Sequence, residues 1–434
     1  MELLRGNQLC ACGKYHHGLL DEYIIERGAC TRIGALVQKY AATKPFLLAD
    51  ANTFSVAGKR VVASLQESGL PHSGYTFPVS PKPDEAAVGS AITHYDASCD
   101  IIIAIGSGVI NDIGKLLAKT AGLPYIIVAT APSMDGYASA SSSMEVDGLK
   151  VSLPSKCANV VVGDIDILKN APKRMLISGL GDMLAKYVSI CEWRISHLIT
   201  GEYYCEEIAS LIRTAVQKCT QNAAGLLKRE EAAVAAVFEG LILGGVAMNY
   251  AGISRPASGV EHYFSHIWDM RGLEFGTPVD FHGIQCAVGT LYATKIYERL
   301  RSIRPNREKA LAYAQSFDQQ SHFDDLRTLL GKGAEAMIAQ EAKEGKYDLA
   351  KHAQRLDVIL NHWNEILQIA EEELLPAAEL EKVLDILGAP KTAAEIGIAE
   401  SFVPTTFRAT KDIRDKYVLS RLCWDLGILD EIKI

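Results

Sequence analysis

The run Asp100-Ile101-Ile102-Ile103-Ala104-Ile105-Gly106-Ser107-Gly108-Val109-Ile110-Asn111-Asp112-Ile113-Gly114-Lys115 decides the fold. An unbroken apolar stretch after a leading acid reads as a strand buried on both faces, as in a parallel sheet. It ends in a glycine turn, and a helix expected to reach about Ala121 follows. A second apolar strand, Pro124 to Val128, comes next. Strand, glycine turn, helix, strand is the βαβ unit of a doubly wound sheet. A helix that starts straight after a buried strand directs its first backbone N–H groups at the space beyond the strand end, where a pyrophosphate can be held. Gly106 and Gly108 lack a Cβ, so a ligand can come close to the backbone. The amides of Val109, Ile110 and Asn111 then point outward. The string is Gly-x-Gly-x-x-Asn rather than Gly-x-Gly-x-x-Gly, and a purely structural glycine turn is its rival.

Working upstream, Glu85 to Ser98 and Phe54 to Ser68 read as helices, with a strand near Gly74 to Val79 between them. Phe46 to Asp50 reads as a short buried strand ending in an acid, and Cys30 to Tyr40 as a helix. Asp50 is placed to accept hydrogen bonds from a ribose and to repel a 2′-phosphate, which favours NAD(H) over NADP(H). It also suits a helix N-cap, and both roles can hold. Downstream, Thr130 and Ser133 lie at the end of a strand and can bond cofactor phosphate or amide, and Asp135 follows in a turn. A hairpin is expected around Val146-Asp147-Gly148 and a last strand at Asn159 to Val162. From about Ala171 the text becomes almost wholly helical. The expectation is therefore an α/β N-terminal domain with a parallel sheet, residues 1–168, followed by an all-α domain, residues 169–434.

A chain of 434 residues suits two domains, and 48% apolar against 22% charged residues allows large cores. The net charge of −8 argues against nonspecific nucleic-acid binding. The ten cysteines are scattered, and no signal peptide opens the chain, so a reducing, cytoplasmic setting is expected. The most apolar run, Ala232 to Val246, contains Glu239 and reads as a core helix too short to span a bilayer. Near the start, Cys10-Ala11-Cys12-Gly13-Lys14-Tyr15-His16-His17 suggests a zinc clip. Its Cys-x-Cys spacing is not the usual Cys-x2-Cys, so structural or incidental roles are favoured.

Three of the eleven histidines fall close together in the helical half, at 262, 266 and 282. His262 and His266 are four apart and project from one helix face. Such a pair can bind a metal, or supply one ligand and one proton-transfer group; ordinary helix residues are the competing view. His282 follows a Gly- and Pro-containing connection and can fold back as another ligand. Asp182, in Gly179-Leu180-Gly181-Asp182-Met183, is the best upstream carboxylate, with Lys186 as its ion-pair partner or an outer-shell group.

Taken in order, Gly-Ser-Gly-x-x-Asn-Asp at 106–112, Thr-Ala-Pro-Ser-Met-Asp-Gly at 130–136, Gly-Asp-Met at 181–183, Arg-Pro-Ala-Ser-Gly-x-Glu-His-x-x-Ser-His at 255–266 and His-Gly at 282–283 resemble the sn-glycerol-1-phosphate dehydrogenases, particularly the bacterial branch. That family stands with glycerol dehydrogenase, the group III metal-dependent alcohol dehydrogenases and dehydroquinate synthase. The resemblance implies a Rossmann-like N-terminal domain, a helical C-terminal domain, an active site in the cleft between them, and a homodimer. It implies Asp182, His262 and His282 as ligands of one divalent metal, zinc or nickel. His266 and Asp135 would line the substrate site. Gly108 to Asp112, Thr130, Ala131, Pro132, Ser133, Ser139 and Asp50 would touch the dinucleotide. Ser107 stands where many relatives have a third glycine.

The activity implied is reduction of dihydroxyacetone phosphate by NADH to sn-glycerol 1-phosphate, feeding glycerophospholipid or ether-lipid synthesis. Arg255, with Ser258 as hydroxyl donor, is the candidate for the substrate phosphate; a helix-end salt bridge is the alternative for Arg255. Rival activities are a glycerol dehydrogenase, a dehydroquinate-synthase-like cyclase and a non-catalytic, metal-stabilised nucleotide-binding protein.

Overall fold

The structure, a computed structural model, describes residues 9–433. Two compact units emerge, and they do not follow the contiguous split expected near residue 168. The first comprises the described residues up to Met183 together with Ser210–Ile253; the second comprises Leu184–Ala209 and the described residues from Ser254 on.

The first unit is built on strands β1 (Glu22–Glu26), β2 (Pro45–Asp50), β3 (Ser73–Phe77), β4 (Ile101–Gly106), β5 (Tyr125–Ala129), β6 (Ser141–Val146), β7 (Leu149–Pro154) and β8 (Val160–Asp164). Six of them form a parallel sheet in the order β1-β8-β5-β4-β2-β3. The central strands β2, β4, β5 and β8 are buried along their whole length, which explains their unbroken apolar text. Helices α1 (Ile33–Lys39) and α2 (Lys59–Glu67) cover the face bearing Leu47, Ala49, Ile103, Ile105 and Val128. Helix α4 (Gly108–Ala121) lies on the opposite face, where a Cβ on its Gly114 would come within 2.9 Å of the Ala104 side chain. Between β3 and β4 runs α3 (Glu85–His94), shorter than expected because Asp96 and Ser98 close a turn, with the Ser98 amide donating to Asp96 Oδ1 at 3.0 Å. The chain winds outward from β2 in one direction and from β4 in the other, so their carboxyl ends flank the switch point of the sheet. The expected hairpin is present as β6 and β7, turning through Asp147 and Gly148 at φ 52° and 77°. Strand β1 was not expected, because its charged ends mask a short edge strand.

Helices α5 (Lys173–Thr200), α6 (Glu206–Gln221) and α7 (Glu231–Ala251) follow. Helix α7 has 21 residues, so it is long and apolar enough by length and composition to cross a membrane, which corrects the expected shorter span. Of its most apolar window 72% is buried, as in a core helix. A Cβ on Gly245 would meet the Ala138 carbonyl carbon at 2.8 Å, and Phe238 fills the space above Gly163 in β8. This tight seating ties residues 210–253 to the sheet and explains why the units cut across the helical text.

The second unit is helical. Its centre is the antiparallel pair α8 (Val260–Phe275) and α9 (His282–Leu300), joined by Gly276, whose φ of 65° ends the first helix. A Cβ on Gly289 of α9 would stand 2.7 Å from the backbone oxygen of Glu261 in α8, so the two backbones are in close approach. Gly333–Glu344, Leu349–Asn361 and Trp363–Glu373 are three separate helices within the stretch that reads as almost wholly helical. Beyond residue 410 the chain forms the helix Leu419–Asp425. Before it, Asp412 is buried among Lys411, Arg421 and Tyr347, a side-chain network that competes with regular helix.

Candidate functional site

Gly106 ends β4 opposite Ala129 of β5, and Asp50 ends the neighbouring β2. The glycine turn and the terminal acid therefore sit on adjacent strands at the switch point. A Cβ on Gly106 would fall 2.5 Å from Ile110 Cβ, so the turn itself requires that glycine. A Cβ on Gly108 would make only ordinary contact with Met134, at 3.5 Å, so the fold does not demand glycine there. Val109 and Ile110 occupy the first turn of α4, and the Asn111 amide already donates to Ser107 O at 2.9 Å.

The side chains of Asn111 and Ser139 are taken up by the protein. Asn111 is fully buried, donates to Gly136 O at 3.1 Å and accepts from the Tyr125 hydroxyl at 3.0 Å. Buried Lys115 donates to Gly136 O and to Ser139 Oγ and pairs with Asp112 at 3.0 Å. Ser139 in turn donates to Ser141 O at 3.0 Å. Burial holds the Asp112 carboxyl above its usual range against the pull of Lys115. These groups gather the segment after β5. Thr130 closes on the turn through its amide, which donates to Gly106 O at 3.1 Å, and the Ser133 hydroxyl reaches Ser107 Oγ at 3.4 Å. The Ala131 carbonyl accepts from the Tyr137 hydroxyl. The Pro132 carbonyl lies against Gly179 of α5, where a Cβ would stand at 1.9 Å. That contact leaves Asp182, one turn on and fully buried, accepting the Asp135 amide at 2.9 Å. Asp50 forms a capping box with Thr53, and Ser80 Oγ lies 3.5 Å from its Oδ2.

In the second unit, His262 and His266 share the face of α8 turned to α9. His282 is the first residue of α9, directly after the connection. Ring centroids are 5.0 Å apart for His262 and His282, 6.0 Å for His266 and His282, and 6.4 Å for His262 and His266. His262 Nδ1 lies 2.7 Å from Glu261 Oε1, a carboxylate that also accepts the Gly259 amide. This contact orients the His262 ring. His282 Nδ1 lies 3.0 Å from Ser265 Oγ, which accepts from Gln285, itself held by Asp269. Cys286 was missed by sequence reasoning: one turn after His282, its Sγ is 3.6 Å from His282 Nε2. The i, i+4 spacing from His282 was the signal that could have found it.

Arg255 departs from the phosphate role expected for it. It is 1% exposed, and its nitrogens donate to both Glu202 oxygens, to Ser196 Oγ and to Tyr417 O. The guanidinium fork is occupied by protein acceptors, as in the salt-bridge alternative. Ser258 is instead gripped by Lys416, whose Nζ lies 2.6 Å from its hydroxyl and 2.8 Å from its carbonyl. Burial, and then the charge of Arg255, bring the Lys416 ammonium down to about 7. Lys416 had no signal in local text, since it is remote from every motif. Lys186 donates to Ala257 O at 3.0 Å, beneath the same loop. Behind His262, burial and the nearby Glu261 push Glu192 well above the carboxylate range.

Residues 24–172 match the iron-containing alcohol dehydrogenase family. A glycerol-1-phosphate dehydrogenase (NAD(P)+) of Halalkalibacterium halodurans is 27% identical over 383 residues, covering 83% of this chain and 96% of that protein. The enzyme of the same name from Bacillus velezensis is 32% identical over 305 residues, 68% of this chain and 77% of that one. The crystal structure of glycerol dehydrogenase from Schizosaccharomyces pombe shares the fold, with a TM-score of 0.63 at 19% identity over 95% of this chain and 89% of that one.

Proposed function

The chain belongs to the glycerol-1-phosphate dehydrogenase family, and on that premise we propose that it reduces dihydroxyacetone phosphate to sn-glycerol 1-phosphate with NADH, using one divalent metal held by Asp182, His262 and His282. The observation that carries the metal assignment is the pair of imidazoles on α8 and α9, ring centroids 5.0 Å apart, each with Nδ1 held by a neighbour as outer-shell contacts hold metal-bound histidines. Two neutral imidazoles and a carboxylate suit zinc or nickel. When bound, such a cation polarises a carbonyl oxygen, and the nicotinamide supplies the hydride.

The chain's own residues do the rest. The amides opening α4 take the pyrophosphate, with Gly108 allowing its close approach, and Asp50 accepts the ribose hydroxyls, favouring NAD(H) over NADP(H). Glu261 and Ser265 fix the His262 and His282 rings. Asp135, through its amide on Asp182, orients that carboxylate and borders the substrate. His266 delivers the proton to the product oxygen, imidazole being the side-chain type suited to proton transfer near neutral pH. Lys416 with Ser258 takes the substrate phosphate in place of Arg255, because a bound dianion offsets the cost of a buried ammonium. We place this activity in a cytoplasmic homodimer that feeds glycerolipid synthesis.

The test is NADH oxidation by metal-loaded protein, with dihydroxyacetone phosphate compared with unphosphorylated dihydroxyacetone and the chirality of the product determined. Turnover of the unphosphorylated ketone alone would replace this assignment with a glycerol dehydrogenase.

A further inference from the structure

The cysteine- and histidine-bearing segment near the start of the chain is used by none of the chemistry above. Its backbone forms a tight hairpin: the Cys10 amide donates to Lys14 O at 2.9 Å, the Gly13 amide to Cys10 O at 2.8 Å, and Leu9 bridges Tyr15. Gly13 sits at φ +82°, a conformation that glycine adopts without strain. The turn brings the Cys10 and Cys12 sulfurs and a ring nitrogen of His16 within 4.8 Å of one another. His16 is 3% exposed, and its Nδ1 lies 2.9 Å from Tyr250 O in the last turn of α7. A carbonyl can only accept, so Nδ1 carries the proton and Nε2 presents its lone pair. That Nε2 faces Cys12 Sγ at 3.4 Å. Around a tetrahedral zinc, a sulfur and a nitrogen ligand stand about 3.6 Å apart, given the usual bond lengths.

We propose that Cys10, Cys12 and His16 are ligands of a structural zinc ion, separate from the site of His262 and His282. The His16 Nδ1–H to carbonyl bond is the outer-shell contact that zinc-bound histidines typically make, fixing both tautomer and ring. The ion draws the two thiolates and the ring together and pins the hairpin to the end of α7 through Tyr250. The Cys-x-Cys spacing, read as unfavourable in the sequence alone, is accommodated because the hairpin turns both sulfurs toward His16. Binding releases the thiol protons to solvent and involves no redox step.

The experiment uses the full chain, purified under reducing conditions and loaded with zinc. A His262→Ala/His282→Ala variant is expected to retain about one zinc equivalent, with an X-ray absorption shell containing at least two sulfurs at ~2.3 Å and a nitrogen at ~2.0 Å. A Cys10→Ser/Cys12→Ser variant is expected to lose that sulfur-bound equivalent and to melt at lower temperature. Zinc without sulfur ligands in the histidine variant, or less than about a tenth of an equivalent there, overturns the inference. If the serine variant does not fold, the absorption spectrum of the histidine variant still decides. Loss of metal at His262 and His282 alone bears only on the catalytic assignment.

Discussion

Replacing Gly289 by alanine tests whether the α8–α9 approach sets the metal geometry. The added Cβ would lie 2.7 Å from Glu261 O, 3.1 Å from its Cα and 3.2 Å from its carbonyl carbon. All three are backbone atoms of α8, so no rotamer change relieves them. Ordinary contact begins near 3.4 Å, so the helices must part by about 0.7 Å, at the cost of about 1–3 kcal/mol typical of overpacking. In a domain of this size each kcal/mol moves Tm by about 2–4 °C. The displaced residue is Glu261, which holds His262, while His282 sits on the other helix. Metal–nitrogen bonds tolerate about 0.2 Å, so metal affinity should fall at least about tenfold. Calorimetry with and without metal, together with metal competition against a chelator of known affinity, measures both effects. Gly89→Ala is the control: it is an exposed position in α3 with nothing near its Cβ, and alanine there should stabilise by about 0.5–1 kcal/mol. A Gly289→Ala protein with unchanged Tm and metal affinity refutes the argument.

Exhaustive chelation should abolish turnover, and zinc or nickel should restore it; full activity in metal-free protein would remove the metal from the mechanism. His262→Ala and His282→Ala should each lose metal from this site, whereas His266→Ala should keep it and lose kcat, as metal analysis beside kinetics will show. Asp50→Gly should gain NADP use and lose only about a few tenths of a kcal/mol from its cap, and an unchanged cofactor preference takes Asp50 out of the ribose site. Lys416 sheds its proton as pH rises through about 7, so KM for the phosphorylated ketone should climb above that pH, and Lys416→Met should flatten the profile. The same group affects stability in a defined direction. Between about 7 and its ordinary 10.5 the unfolded chain holds a proton that the folded one lacks, so its contribution to stability rises with pH across that window and is lost below it.

The parts of the fold legible in the sequence were those in which local text and burial agree. Ile101 to Gly106 is buried on both sides and reads as nothing else, and Asp147-Gly148 supplies the positive φ values that a two-residue hairpin needs. Strand β1 escaped because Glu22 and Glu26 flank only a short apolar stretch, and its pairing with β8 spans well over a hundred residues of chain. The break between Asn361 and Trp363 escaped because helical periodicity continues through His362. The division into units escaped for a tertiary reason: helix α7 is apolar all round, and nothing in its composition says which neighbour its glycines meet.

The candidate site shows the same boundary between local and distant information. His262 and His266 are ambiguous as a bare i, i+4 pair, and the segment around them carries further chemistry. Glu261 precedes His262 and holds its Nδ1, and Ser265 precedes His266 and holds Nδ1 of His282. The motif therefore holds two rings by their Nδ1 atoms, one of them on another helix, and this gives Glu-His-x-x-Ser-His more chemical content than its two histidines alone. Arg255 marks the opposite case. Its charge is conspicuous in the text, but its partners Glu202 and Tyr417 are distant in the chain, and only they decide that the guanidinium serves the fold. Lys416 is inconspicuous for the same reason, being defined by Ser258 across the unit. A cation's surroundings here depend on which acceptors the fold brings to it, so neither Arg255 nor Lys416 could be placed from nearby text, whereas the imidazole pair was visible in a short stretch of sequence.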